Sequence, residues 1–338
     1  MPFSIPRREY IYGTNDVIQV VERVNRPVEI KAVIDLVSNP AAKVKLQSGE
    51  SLSYFAARQL LLPVDKQKAI ETGIIDASEA HLVPDTIQLN LPERKNSMIK
   101  SELMILDLLA NYKWDRPIYF VAMGGDLEIG IRDYLEYNGF SYKFVPIKNR
   151  STFGSPGRIN PDVMYNNVMN VYKWGNMNDP SVYIDYQNLL TFNAVLSVRN
   201  IFSQTAGALM ETGDTIRAVE VLDRMQEVML PSQFPLNSSA MSNSLNELAV
   251  IESIDTYLVA GELEKGSKLA DMFADETLKS IKLFGTPFRG KFISKGDLES
   301  NLSYLHYLQD IFANRGYAQE AAKYEKMLND LYTELQAI

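Results

Sequence analysis

The chain contains no cysteine, and its 338 residues include only two histidines and two tryptophans. Without cysteine there is no disulfide, no thiolate nucleophile and no thiolate zinc site. The histidines, His81 and His306, lie 225 residues apart, which argues against a histidine-built metal site or a Ser-His-Asp arrangement. Long apolar runs are missing too. The most apolar window, Leu103 to Ala110, is short and carries Asp107, whereas a membrane span needs roughly 18 to 20 apolar residues. No signal-peptide core follows Met1-Pro2-Phe3, which leads directly into Pro6-Arg7-Arg8-Glu9. Two expectations remain open: a cytoplasmic protein, or a fragment whose targeting signals lie elsewhere. Basic charge is scarce, with 34 Lys and Arg against 42 Asp and Glu. The resulting net charge of −8 repels a phosphate backbone, and no basic stretch longer than Arg7-Arg8 offsets it, so nucleic acid is not an expected partner.

What is present is the composition of a globular protein, 46% hydrophobic and 22% charged. The length fits about two domains. Residues 1–27 read as an extended segment punctuated by Pro2, Pro6, Gly13 and Pro27. An α/β domain is expected over 28–150. Within it, Ile30, Val33, Ile34 and Val37 have helical spacing, and Asn39-Pro40 stops that helix. Lys43–Leu46, Tyr54-Phe55, Gln59–Leu62 and Ile87–Leu91 read as strands. Ser101–Tyr112 is a helix apolar nearly all round. The run Pro117–Met123, then Gly124-Gly125, a helix over Asp126–Asn138 and a strand over Tyr142–Ile147 predict a βαβ unit. Residues 151–187 read as a hinge with a short helix at Met164–Lys173.

From 188 to 338 the pattern is helical only. Gly213, Gly261 and Gly316 each end a helix, and a small residue follows five positions later in each case, at Ala218, Gly266 and Ala321. The glycines are 48 and 55 residues apart, so the expectation is irregular TPR-like hairpins with long connections, or else a generic helical bundle. The overall fold class is an α/β N-terminal domain followed by an all-α TPR-like helical-hairpin domain.

Complete chemical motifs are absent. Gly285–Phe292 follows the P-loop spacing but puts Phe292 where a magnesium-binding hydroxyl belongs. Ser97-x-x-Lys100 has no K-T-G partner. No cofactor is expected. Gly124-Gly125 reads as a tight turn with acidic capping or as a place where backbone N–H groups meet a ligand; the charges of Asp126 and Glu128 oppose an anion there, leaving a neutral, hydroxyl-rich ligand as the better fit. Asp107 in its apolar helix reads as one half of a buried ion pair with Arg116 or as a functional acid. The polar and aromatic residues near turns, Asn111, Trp114, Arg116 and Tyr119 in the α/β part and Trp174 and Asn176 in the hinge, are candidate ligand contacts or core edges.

The stretch Leu106–Phe120, with Asn111-Tyr-Lys-Trp114-Asp-Arg116-Pro-Ile-Tyr119-Phe at its centre, resembles large bacterial multi-spanning membrane proteins related to protein O-mannosyltransferases of the GT-C class. Leu62-Pro63-Val64-Asp65, Asp133-Tyr134-Leu135, Val145-Pro146-Ile147 and Lys173-Trp174-Gly175-Asn176-Met177-Asn178-Asp179 are similar to the same family's tail. The resemblance implies that this chain corresponds to the C-terminal region outside the membrane, itself without a span, on the periplasmic face of the inner membrane. It further implies the membrane-embedded part of its own chain as a partner, with a polypeptide or glycan ligand. No catalytic residue carries over, because the family's catalytic acid lies near its first span. A stand-alone enzyme at Gly124-Gly125 and a ligand-free scaffold are the alternatives.

Overall fold

A computed structural model describes residues 3–6, 10, 17–45, 49, 51–121, 128–149, 157–183, 196–238, 245–284 and 295–336. The chain divides into two compact units, Met1–Ile159 and Asn160–Ile338.

The first unit is built on small mixed sheets. Strands β1 (Val17–Val24) and β2 (Val28–Glu29) lead into helix α1 (Ile30–Ser38). The chain returns through a hairpin, β3 (Val44–Lys45) and β4 (Ser51–Leu52), into β5 (Tyr54–Ala57) and β6 (Gln59–Pro63). β5 pairs parallel to β1, and β6 pairs parallel to β2. A parallel pair needs a crossover connection, and α1 supplies it. Its Ile30, Val33, Ile34 and Val37 are buried, as the spacing predicts. Helix α2 (Lys66–Glu71) and the 3-10 turn Ala77–Leu82 then lead to β7 (Thr86–Asn90), antiparallel to β6, and β8 (Ser97–Ile99), antiparallel to β1. Helix α3 (Lys100–Ala110) packs against α1. Phe55, Leu60, Leu89, Leu106 and Leu109 are fully enclosed and form the centre of this core.

The expected βαβ unit after Pro117 is not what forms. β9 (Tyr119–Phe120) runs antiparallel to β11 (Tyr142–Phe144), which runs antiparallel to β10 (Leu135–Tyr137). The segment expected to be helical over Asp126–Asn138 holds only one 3-10 turn, Arg132–Tyr134, among its described residues. Two physical reasons account for this. Gly130 sits at φ +82°, which a helix cannot contain, and a Cβ there would lie 2.5 Å from the Asn90 nitrogen. Tyr134, Leu135, Glu136 and Tyr137 are all buried, a two-sided burial that suits a short strand and not an amphipathic helix. Gly139 (φ +71°) serves a hairpin turn, closed by Asn138 N–H donating to the Ser141 carbonyl at 2.8 Å. The chain's parallel strands, joined by a helix, are instead those around α1.

The second unit begins with α4 (Pro161–Asn166), capped by Asn160 and extended by a π-helical turn over Asn167–Val171. Three helical hairpins follow: α5 (Ser197–Glu211) with α6 (Thr215–Val228), α7 (Leu245–Val259) with α8 (Leu263–Phe284), and α9 (Lys295–Asn314) with α10 (Ala318–Gln336). The first helix of each hairpin packs on its own second helix and on the first helix of its neighbour. The three glycines close their helices identically. Gly213, Gly261 and Gly316 lie at φ +80°, +83° and +84°. In each case the glycine N–H donates to the carbonyl three residues back, and the next N–H donates to the carbonyl five back, the two bonds of a Schellman cap. The small residues are needed as well: Ala218 is fully buried, and a Cβ on Gly266 would come within 2.9 Å of Leu258 Cδ2.

A segment with neither helix nor strand, Phe234–Ser238, fastens the hairpins together through its main chain. Arg199 of α5 donates to the Phe234 and Pro235 carbonyls at 3.1 Å each. Asn246 of α7 donates to the Leu236 carbonyl at 2.9 Å. Glu276 of α8 accepts from the Leu236 and Asn237 N–H groups, and Glu247 of α7 accepts from that of Ser238. Arg199 is buried and also donates to Asn246. Burial pulls its guanidinium down to about 10, opposed by the charges of Glu276 and Glu247.

Candidate functional site

In the first unit, the loop from Asn111 to Arg116 is held from three sides. Asp107 is completely buried in α3, and its partners come from the N-terminal segment. It accepts from Ser4 N–H at 2.8 Å, Ile5 N–H at 3.0 Å and the Tyr10 hydroxyl at 2.8 Å, and from Asn111 Nδ2 at 3.0 Å. The expected ion pair between Asp107 and Arg116 therefore does not form; four hydrogen-bond donors balance the carboxylate instead. The Tyr10 phenol is pushed upward by burial first, then by its bond to Asp107.

Tyr112 donates its hydroxyl to the Arg116 carbonyl at 2.8 Å, and burial pushes this phenol upward too, with the nearby Asp115 charge adding. Trp114 is 1% exposed. Its indole N–H donates to the Pro63 carbonyl at 2.9 Å, and its ring stacks on Phe144 at 6.0 Å. Its backbone adopts φ +55°, a left-handed conformation that costs a residue with a Cβ about 1–2 kcal/mol. Enclosure of the largest side chain offsets that cost. Trp114 is thus a core residue, and Asn111 is occupied by Ser4 and Asp107. Arg116 and Tyr119 are exposed. Gly124, Gly125 and Asp126 lie outside the described residues, as does the P-loop-like stretch Gly285–Phe292.

In the second unit, Trp174 and Asn176 line one cleft of about 400 Å³. The π-helical turn ends at Val171, and Gly175 at φ +60° turns the chain back, so that Tyr172, Lys173 and Trp174 face the end of α6. Trp174 is half-buried. Its indole N–H donates to the Val168 carbonyl at 3.2 Å, and its ring lies 4.8 Å from that of Phe202. Turns closed by the Asn176 and Asp179 carbonyls, and Gln233 donating to the Asp179 and Val182 carbonyls, hold the chain that follows the cleft. Asn170 and Asn178 complete the amide lining, and Arg224 reaches in from α6. Sequence reasoning missed Asn170, Asn178 and Arg224. Asn178 stands within the quoted Lys173–Asp179 motif, but Arg224 is fifty residues distant with no local signal.

Residues 1–163 match the family model TMEM260-associated domain 2. The match covers the first unit and stops at the start of α4. The first unit is thus similar to a TMEM260-associated domain, and a helical unit of different construction follows it. No curated protein matches the chain, and no solved structure matches it. Among the described residues, no helix is long and apolar enough to cross a membrane.

Proposed function

We propose that this chain is an accessory region of a membrane-embedded protein glycosyltransferase, one that binds acceptor polypeptide, glycan or a partner protein and performs no sugar transfer itself. The observation that carries the reading is the match of residues 1–163 to TMEM260-associated domain 2. TMEM260 is O-mannosyltransferase-like, which agrees with the resemblance of Leu106–Phe120 to proteins related to that class. The family-like loop itself supports a structural role, since Asn111, Tyr112 and Trp114 spend their polar groups on the chain's own backbone and side chains. The helical unit supports the binding part of the proposal. Its helical hairpins pack each on the next, which suits a TPR-like stack, and its Trp174 cleft offers aromatic and amide groups to a ligand. In this reading the chain works on the periplasmic face of the inner membrane.

The test is glycoprotein mass spectrometry of cells in which the coding region for the second unit, residues 160–338, is deleted. Loss of O-linked glycosylation on at least a subset of acceptors, restored by the intact gene, is the expected result. An unchanged glycoprotein profile, with the truncated protein shown to be present, would count against the proposal.

A further inference from the structure

The chemistry of the Trp174 cleft narrows what it can hold. Trp174 is held by its bond to the Val168 carbonyl, against Phe202 and edge-on to Tyr172, so the part of this half-buried ring that lines the cleft is a fixed apolar surface of the kind that the C–H face of a pyranose covers. Asn176 and Asn178 each carry a donor and an acceptor, the pairing that adjacent hydroxyls require, and Asn170, whose Nδ2 donates to Asn166 Oδ1 at 3.1 Å, adds an amide oxygen. Among the described residues no carboxylate lines the cleft, in a chain whose net charge is −8. Of its two cations, Arg224 is paired with Glu227 at 2.9 Å, whereas Lys173 has no ion-pair partner among the described residues and is exposed. The Lys173 ammonium therefore favours an anion beside the ring-binding surface. A cleft of about 400 Å³ falls at the small-molecule end of binding sites. The side chains that read polypeptide main chain in this unit, Arg199, Asn246, Glu247 and Glu276, are already occupied by Phe234–Ser238, which weighs against an extended peptide.

We infer that this cleft binds a hexose ring bearing one anionic group, either a phosphate or a carboxylate. The inference rests on the glycan-binding form of the function proposed above and specifies its ligand.

Isothermal calorimetry on the full chain tests it, with glucose 1-phosphate, glucuronate, glucose, inorganic phosphate and an acidic serine-containing peptide as probes. Saturable binding of glucose 1-phosphate or glucuronate, at least tenfold tighter than glucose or phosphate alone, is expected. Preference between those two probes identifies the anionic group as a phosphate or an acidic sugar. Lys173→Gln and Asn176→Ala change exposed side chains, so circular dichroism should show the fold intact while each weakens binding by tenfold or more. Equal binding of inorganic phosphate, tighter binding of the peptide, no saturable binding of either anionic sugar, or binding unaltered in both variants would each overturn the inference. The glycoprotein profile of the deletion strain is a separate measurement, so failure here and failure of the accessory role are distinguishable.

Discussion

Replacing Asp107 by alanine should detach the N-terminal segment from the first unit and cost a large part of that unit's stability. The carboxylate accepts from Ser4 N–H, Ile5 N–H, the Tyr10 hydroxyl and Asn111 Nδ2. The loss is not uniform over these four. Asn111 Nδ2 keeps the Asp107 carbonyl at 2.9 Å and Ser4 Oγ at 3.0 Å, and the partly exposed Ser4 can turn to water. Ile5 is 5% exposed and Tyr10 is half-buried, so their donors lose their acceptor. Each unsatisfied buried group costs about 1–3 kcal/mol, so the two together put the expected loss at about 2–6 kcal/mol. Asp107→Asn keeps one acceptor oxygen but turns an NH2 group toward donors, and should fall about 1 kcal/mol short of the alanine loss. Urea unfolding followed by tryptophan fluorescence in a Trp174→Phe background reads the first unit selectively, because the remaining tryptophan, Trp114, is enclosed in that unit's core. Trypsin cleavage after Arg7 and Arg8 should accelerate in parallel. A loss below about 1 kcal/mol in the alanine variant, with unchanged cleavage, would refute the reasoning that the N-terminal segment is anchored by this carboxylate.

Gly130→Ala should destabilise the first unit by about 3 kcal/mol or more, since its Cβ would meet the Asn90 backbone and its φ is +82°; failure to lower the urea midpoint would contradict the placement of that turn. Gly213→Ala, at φ +80° with no neighbour within 4 Å of its Cβ, isolates the left-handed cost alone and should lose only about 1–2 kcal/mol, measured by the same unfolding with a far-ultraviolet signal. Burial pushes the Tyr257 and Tyr324 phenols above their ordinary value, aided in each case by an aspartate partner, Asp223 or Asp271. Raised folded-state values mean that this contribution is complete below about pH 10 and is lost as pH rises above it, by up to about 1.4 kcal/mol per pH unit per group. A stability of the helical unit that stayed flat or rose above pH 10 would contradict that coupling.

Much of this architecture is legible in the sequence where a single period dominates. Ile30, Val33, Ile34 and Val37 announce α1, and the glycines at 213, 261 and 316 announce the hairpins, because a left-handed cap admits few other residues. The Asp133–Tyr137 stretch misleads because all of Tyr134 to Tyr137 are buried, which erases the contrast between helical and strand periods. Asp107 was visible as an oddity, but its partners Ser4, Ile5 and Tyr10 lie roughly a hundred residues away and no local spacing could name them. The left-handed backbone of Trp114 has no sequence signature at all. The cleft was half legible: Trp174 and Asn176 stood out as an aromatic and an amide beside a turn, while Arg224 joins them only through the packing of α6.

The accessory role itself is tested most directly by locating the native protein. Cells expressing the gene from its own locus with an epitope tag after Ile338 should yield the tagged protein in the membrane fraction, continuous with or co-purifying in detergent with a multi-spanning polypeptide, and degraded by protease added to the periplasmic side. Recovery of the tagged protein wholly in the cytoplasmic fraction, with no multi-spanning polypeptide attached, would contradict the account.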